Sequence, residues 1–337
     1  MKLSIVIPLY NKEKYIERCL KSLLEQDLGE DQYELVIVDD GSKDDGGRIV
    51  ERYAAKHPNI QFFTQKNAGP SAARNKGLAA SKGNYIYFLD ADDFLATNVL
   101  GEVLATAEKN NLEILEFNTK EIREGTDVAS ITKEPGDPSV TVLDGVSYIG
   151  EHGFRNEAWR YIVHRDLLKQ TGIAFIEGTL YEDVIFTASL FLEAKRMGKA
   201  NLDVHRYVTV ENSIVTSRDA AHNLRFINGM VYAIEKIKGM IQNLDPSHGS
   251  YKQVVEKLKS RQYAFVFALL IRTFKHNLLD RKELNAILDK LNMLEAYPID
   301  TRIGIGHGST VHNKIFVPIF NTKPILFTSL FFRRLAS

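Results

Sequence analysis

Within the first hundred residues, four short β-rich runs each end in a cluster of polar residues, with helical stretches between them. Leu3–Ile7 is halted by Pro8 and passes into Tyr10-Asn11-Lys12, and Tyr33–Val38 ends in Asp39-Asp40-Gly41-Ser42. The weaker run Ile60–Phe63 leads to Lys66–Ser71, and Tyr85–Leu89 ends in Asp90-Ala91-Asp92-Asp93. From Lys12 to Gln26, Tyr15, Ile16, Cys19, Leu20, Leu23 and Leu24 form one stripe of an amphipathic helix. Asp44–Lys56 and Ala72–Ser81 read as further helices. Strands alternating with helices at this spacing predict an α/β fold with a doubly wound, mainly parallel sheet. The ligand crevice of such a sheet lies beyond the carboxyl ends of its strands, where all four polar clusters fall. They converge on one site.

Downstream the pattern changes. Leu112–Ile122 reads as another strand, followed by a polar segment to Pro138. Glu182-Asp183 opens an apolar helix carrying Val184, Ile185, Phe186, Leu190 and Phe191. Beyond Ala220 the chain reads as helical, near 221–243, 250–276 and 281–294. The stretch Thr301–Ser337 holds Arg302, Lys314, Lys323, Arg333 and Arg334, no acidic residue, and many phenylalanines. Its apolar clusters are broken by Pro318 and Pro324, which predicts an interfacial membrane contact and no crossing.

The 337 residues suggest about two domains. Lysine plus arginine and aspartate plus glutamate both total 43, so the chain lacks the basic excess of a nucleic-acid-coating protein. A single cysteine, Cys19, excludes a disulfide framework and a multi-cysteine zinc site, and its place on the helical stripe predicts a core thiol. Leu3–Leu9 is too short for a secretory leader, and no window offers about 18 uninterrupted apolar residues. A cytoplasmic protein is expected, at the inner face of the membrane if the tail makes its contact.

Asp90 and Asp92 place two carboxylates on the turn after a strand, a set that suits a hard divalent cation shared with a diphosphate. The acidic turn Asp39-Asp40 ends a neighbouring strand. Lys66–Asn75 supplies the opposite charge: Gly69-Pro70 turns the chain, and Ser71 can cap a helix carrying Arg74, a fitting neighbour for a phosphate. A signalling receiver domain also spaces acidic residues in this way. Here, however, a whole strand–helix unit precedes the acidic pair, and Asp92 and Asp93 stand where a receiver continues with apolar residues.

Assembled, "SIVIPLYN" (4–11), "LVIVDDGSKD" (35–44), "KNAGPSAARNKGL" (66–78), "GNYIYFLDADDF" (83–94) and "LYEDVIF" (180–186) resemble the inverting glycosyltransferases of family 2, which have the GT-A fold. The resemblance runs from Ser4 to about Thr216. It implies that Pro8 and Tyr10 line a nucleoside pocket, that Asp40 accepts from the pyrimidine, and that Asn67 and Arg74 lie against the nucleotide. It further implies that Asp90 contacts the ribose or sugar and that Asp92 binds Mn²⁺ or Mg²⁺ bridging the diphosphate. Asp183 would be the catalytic base beside Glu182, and Trp159 an aromatic platform for the acceptor. The donor would be a UDP-hexose or UDP-N-acetylhexosamine, and the acceptor a polysaccharide or lipid-linked hydroxyl. An unperturbed aspartate titrates at about 4, so Asp183 is expected to be ionised at neutral pH.

The chain departs from the family in "RYVTVENSIVTS" (206–217), where the usual arginine before Ser213 is missing; Arg206, Arg218 or His222 could replace it. The expected organisation is a GT-A domain over 1–218, a helical domain over 219–300, serving packing or homodimerisation, and the tail 301–337. A sugar-nucleotide pyrophosphorylase would carry a Gly-rich loop after the first strand, which Pro8-Leu9-Tyr10-Asn11 does not provide. A catalytically silent nucleotide-sugar-binding or scaffold protein is the alternative from outside the enzymes.

Overall fold

The computed structural model describes residues 1–123, 132–209, 220–305 and 310–335. The chain forms two compact units: Met1–Tyr148 with Phe154–Gly178 and Glu182–Glu211, and Ile149–Gly153 with Thr179–Tyr181 and Asn212–Ser337. The boundary expected at residue 218 lies outside the described residues.

The first unit is built on an eight-stranded sheet of order β3-β2-β1-β4-β7-β6-β8-β5. Its strands are β1 (Leu3–Leu9), β2 (Tyr33–Asp39), β3 (Ile60–Thr64), β4 (Tyr85–Phe88), β5 (Phe94–Leu95), β6 (Ile114–Arg123), β7 (Tyr161–His164) and β8 (Met197–Thr209). β1 to β4 pair in parallel, as do β6 and β8. β7 runs antiparallel to both β4 and β6, and β5 antiparallel to β8, so the sheet is more mixed than the sequence implies.

Alternation along β1 sets the layers. Leu3, Ile5, Ile7 and Leu9 join one buried cluster with Ile16, Cys19, Leu20 and Leu23 of α1 (Glu13–Leu24). The other face carries α3 (Pro70–Ala80), which lies close enough to β1 that a Cβ at Gly77 would come within 2.4 Å of Val6 Cγ1. Helix α2 (Gly46–Ala54) links β2 to β3, and α4 (Leu100–Lys109) precedes β6. The shorter α5 (Gly145–His152) and α6 (Arg165–Thr171) follow, the latter ending at Gly172 in the left-handed region, then α7 (Glu182–Glu193).

The second unit is helical, with α8 (Ala220–Asn243), α9 (Tyr251–His276), α10 (Arg281–Met293), α11 (Thr310–Asn321) and α12 (Lys323–Leu335). Gln262 of α9 donates to the Ile234 carbonyl of α8 at 2.9 Å, and Asp280 with Glu283 forms a capping box on α10. Pro318 lies inside α11; the break falls between Asn321 and Lys323, where the chain bends by 108°. No single described helix is long and apolar enough to cross a membrane.

Candidate active site

Side-chain-to-backbone bonds fix the loops at the strand ends. Asn11, at φ 51°, accepts the Lys43 N–H at 2.8 Å and gives its own N–H to Ser42 Oγ at 3.0 Å. Asp39 in turn accepts from Ser42 N–H and Oγ at 2.9 and 2.6 Å. Asp40, 3% exposed, takes Gln65 Nε2, Ala68 N–H and Gly69 N–H, each at 2.8 Å. Its carboxylate therefore shapes the 65–69 loop and keeps one lone-pair direction open to a further donor. Around it Tyr10 is 42% exposed, Pro8 half-buried and Asn67 exposed.

Arg74 gathers the acidic residues. Its buried guanidinium pairs with Asp90 at 2.8 Å, Asp183 at 3.4 Å and Glu182 at 3.5 Å, and lies 5.2 Å from the Phe175 ring centre. Packing explains the convergence. Phe175 stacks on Phe186 of α7 at 3.9 Å, and both rings meet the edge of Phe88 at the end of β4. Asn75, one residue beyond Arg74, donates to the Phe175 carbonyl at 2.8 Å and accepts its N–H at 3.0 Å. The first turn of α7 is thereby held against α3.

Burial pushes the Asp183 carboxyl from 3.8 up to about 7, against the pull of Arg74 and with a push from Glu182 and Asp90. This corrects the expectation of an ordinary aspartate near 4: the sequence shows the residue, not its desolvation. Burial raises Glu182 as well. Asp183 is 28% exposed, so its oxygens are reachable, while Glu182 is 13% exposed. A carboxyl poised near neutrality, beside a buried arginine, is suited to general-base work.

Asp92 has an exposed edge at 22%, and its Oδ2 pairs with the Lys12 ammonium. Arg18 donates to the Asp92 carbonyl at 2.9 Å. Among the described residues no three His, Cys, Asp or Glu side chains gather into a metal cage. A single carboxylate that shares a cation with substrate phosphates needs no such cage, and the donor set fits Mg²⁺ or Mn²⁺ in that form.

Sequence reasoning missed the Lys12 and Arg18 contacts and the network under the acidic turn. Buried Asp93 accepts Val208 N–H at 2.8 Å and meets His205 Nε2 at 3.0 Å, while His205 Nδ1 meets Tyr87 Oη at 2.8 Å. Burial drives the imidazole down to about 3 and the Asp93 carboxyl upward, so both favour their uncharged forms. His205 stacks on Trp159 at 4.4 Å, and Trp159 on Tyr207 at 5.3 Å. Trp159 is only 7% exposed; Tyr207, at 39%, is the open ring of the column. Of the replacements considered for the missing arginine, Arg206 is fully buried and bound by Asp203 at 2.6 and 2.7 Å, which removes it from solvent. Arg218 lies outside the described residues. His222 sits against Phe226 at 4.8 Å in the helical unit.

Comparison with known proteins agrees with this architecture. Residues 4–174 match the family described as Glycosyl transferase family 2, and the chain belongs to that family. It is 34% identical over 219 residues to the uncharacterized glycosyltransferase EpsJ of Bacillus subtilis (strain 168), covering 62% of this chain and 61% of EpsJ. It is 28% identical over 274 residues to the poly(ribitol-phosphate) beta-N-acetylglucosaminyltransferase TarS of Staphylococcus aureus (strain MW2), covering 79% of this chain and 45% of TarS. The chain thus spans less than two thirds of these relatives' length. The crystal structure of S. aureus TarS 1–349 in complex with UDP-GlcNAc superposes with a TM-score of 0.66 at 23% identity, over 100% of this chain and 93% of that one. The fold is therefore GT-A.

Proposed function

We propose that this chain transfers a sugar, with inversion, from a UDP-hexose or UDP-N-acetylhexosamine to a hydroxyl of a cell-envelope polysaccharide or lipid-linked acceptor. The observation that carries the reading is Arg74, whose one guanidinium joins Asp90 of the strand-end cluster to Glu182 and Asp183 at the start of α7. In this reading a carboxylate facing the donor and the base are held by the same arginine. The name of TarS, a beta-N-acetylglucosaminyltransferase, supports the donor class and a polymeric acceptor.

In this reading Pro8 and Tyr10 line the nucleoside pocket, and Asp40 offers its remaining acceptor direction to the pyrimidine imide N–H. Asn67 and Arg74 lie along the nucleotide, and Asp90 faces ribose or sugar. Asp92 would hold Mn²⁺ or Mg²⁺, whose charge would offset that on a diphosphate leaving group. Asp183, ionised above about 7, takes the acceptor proton as the hydroxyl attacks opposite the leaving group. Glu182 keeps Arg74 in place. Trp159 serves the acceptor through its column, whose open ring is Tyr207.

The helical unit adds a membrane contact. Ile315, Ile325, Phe331 and Phe332 are between 49% and 63% exposed on α11 and α12, and residues 301–337 contain five basic residues and no acidic one. Lying in the interface of an anionic leaflet would cover them, and would place the enzyme at the cytoplasmic face of the membrane.

A panel of UDP-sugars assayed for UDP release with Mn²⁺ and a hydroxyl acceptor tests the proposal. One UDP-sugar should turn over, and Asp183→Asn should slow it by about 10²–10⁴-fold. Binding without turnover for every donor would favour the scaffold reading, and binding of none would refute both.

A further inference from the structure

Asp92, the carboxylate assigned above to a divalent cation, already holds a cation of the chain itself. The Lys12 ammonium pairs with its Oδ2. The backbone on either side of Lys12 is clamped. Asn11 is bonded to Lys43 and Ser42, and Glu13 gives its N–H to Asp44 Oδ2 at 2.9 Å while accepting Asp45 N–H at 3.0 Å. The stem of Lys12 is therefore rooted firmly at the N-terminus of α1. Its side chain remains 34% exposed and Asp92 22%, so the ammonium has solvent to move into.

The second cation at this turn behaves differently. Arg18 binds the Asp92 carbonyl, not the carboxylate, and its guanidinium lies 4.7 Å from the Phe94 ring centre, a contact Lys12 lacks; the Tyr15 ring is shared, 5.9 Å from Arg18 and 5.7 Å from the Lys12 ammonium. Stacking fixes a planar guanidinium, whereas a lysine is a compact charge on a flexible stem. The acidic turn thus has one fixed cation supporting its backbone and one movable cation on its carboxylate.

We propose that Lys12 is a built-in counter-cation of Asp92, displaced when a divalent cation binds and then free to meet the donor's diphosphate. The inference rests on the Asp92 reading given above. A divalent ion and an ammonium cannot both sit on the same carboxylate oxygen without like-charge repulsion. A diphosphate offers the released ammonium a new anionic partner, and lysine is a capable phosphate ligand. Nucleotide draws Lys12 away from Asp92 and so favours the cation; by reciprocity the cation favours nucleotide. Lys12 would make the two bind as a pair.

Calorimetric titration of Mn²⁺ into the full chain, with and without saturating UDP, tests this in the wild type, Lys12→Met, Lys12→Arg and Asp92→Asn. Loss of a partly exposed competing ion pair should tighten Mn²⁺ binding in Lys12→Met by about fivefold without UDP. The gain in Mn²⁺ affinity on adding UDP should shrink in that variant, and UDP affinity in chelator should fall. Lys12→Arg retains the charge and should stay near wild type without UDP. Unchanged Mn²⁺ and UDP binding in Lys12→Met, with Mn²⁺ binding lost in Asp92→Asn, overturns the role of Lys12 alone. Equal tightening in Lys12→Met and Lys12→Arg also overturns it, since charge would not be the cause. Wild-type Mn²⁺ affinity in Asp92→Asn removes the Asp92 reading and this inference with it.

Discussion

Replacing Asp183 by Asn keeps the shape of the side chain and removes a carboxyl that burial holds at about 7. Three consequences separate. As a base, the wild-type carboxylate is about nine-tenths protonated at pH 6 and about nine-tenths ionised at pH 8. Wild-type kcat/KM should therefore rise about tenfold per pH unit below pH 7 and level off above it. On the plateau Asp183→Asn should be slower by about 10²–10⁴-fold. UDP affinity should change little, because the proposed nucleotide contacts lie at the ends of β1 and β2, on the 67–74 segment and on the turn after β4, and the Arg74–Asp90 pair at 2.8 Å lies in the part of the site the variant leaves unchanged. The third consequence is stability. The folded carboxyl keeps its proton up to about 7 whereas the unfolded one releases it at about 4, so stability fully present below pH 4 is lost progressively as pH rises from about 4 to about 7 and stays lost above it. Discounted for the 28% exposure of Asp183, that loss is about 1–2 kcal/mol at pH 8. The variant does not suffer it. Its melting temperature relative to wild type should climb by about 2–4 °C between pH 5 and pH 8 by thermal-shift assay. Glu182→Gln is the control and should keep measurable turnover. A wild-type rate profile flat down to pH 5, or a stability difference that ignores pH, would refute the assignment.

Other outcomes follow from the same geometry. Asp92→Ala should abolish the Mn²⁺ dependence of UDP binding by calorimetry while leaving the melting temperature near wild type; unchanged metal dependence would remove Asp92 from that role. Asp40→Asn replaces one carboxylate oxygen by an NH2 donor, which must face either the Ala68 or the Gly69 N–H, and should cost about 1–3 kcal/mol of stability together with UDP affinity. The chain should float with anionic liposomes, and Phe331→Ser/Phe332→Ser should weaken this; concentration-dependent self-association without flotation would assign the apolar residues to a second copy of the chain.

Much of the first unit was legible because its signals are local. The stripe on α1, the runs that became β1 to β4 and the polar clusters after them depend on periodicity and turn chemistry, and the observed elements lie within a few residues of the expected ones. β7 and the long β8 escaped notice: β7 is an inserted strand antiparallel to both neighbours, and β8 joins β6 in parallel and β5 antiparallel, pairings that leave no mark until the partners are known. Asp90, Glu182 and Asp183 could be singled out from the motifs. Their joint engagement by Arg74 could not, because it links residues 74, 90, 182 and 183 through the packing of Phe88, Phe175 and Phe186. The raised Asp183 carboxyl and the Asp93–His205–Tyr87 network are likewise properties of burial, which a sequence pattern does not carry. Trp159 shows the same limit: its aromatic character was visible, its place inside a stack was not.

A crystal structure of the chain grown with UDP and Mn²⁺ tests the central claim most directly. The account predicts uracil at the Tyr10 and Asp40 edge, the diphosphate beside Asp92 with the cation between them, and Asp183 left facing the sugar position. UDP bound away from the ends of β1, β2 and β4, or with its diphosphate turned from Asp92, would contradict it.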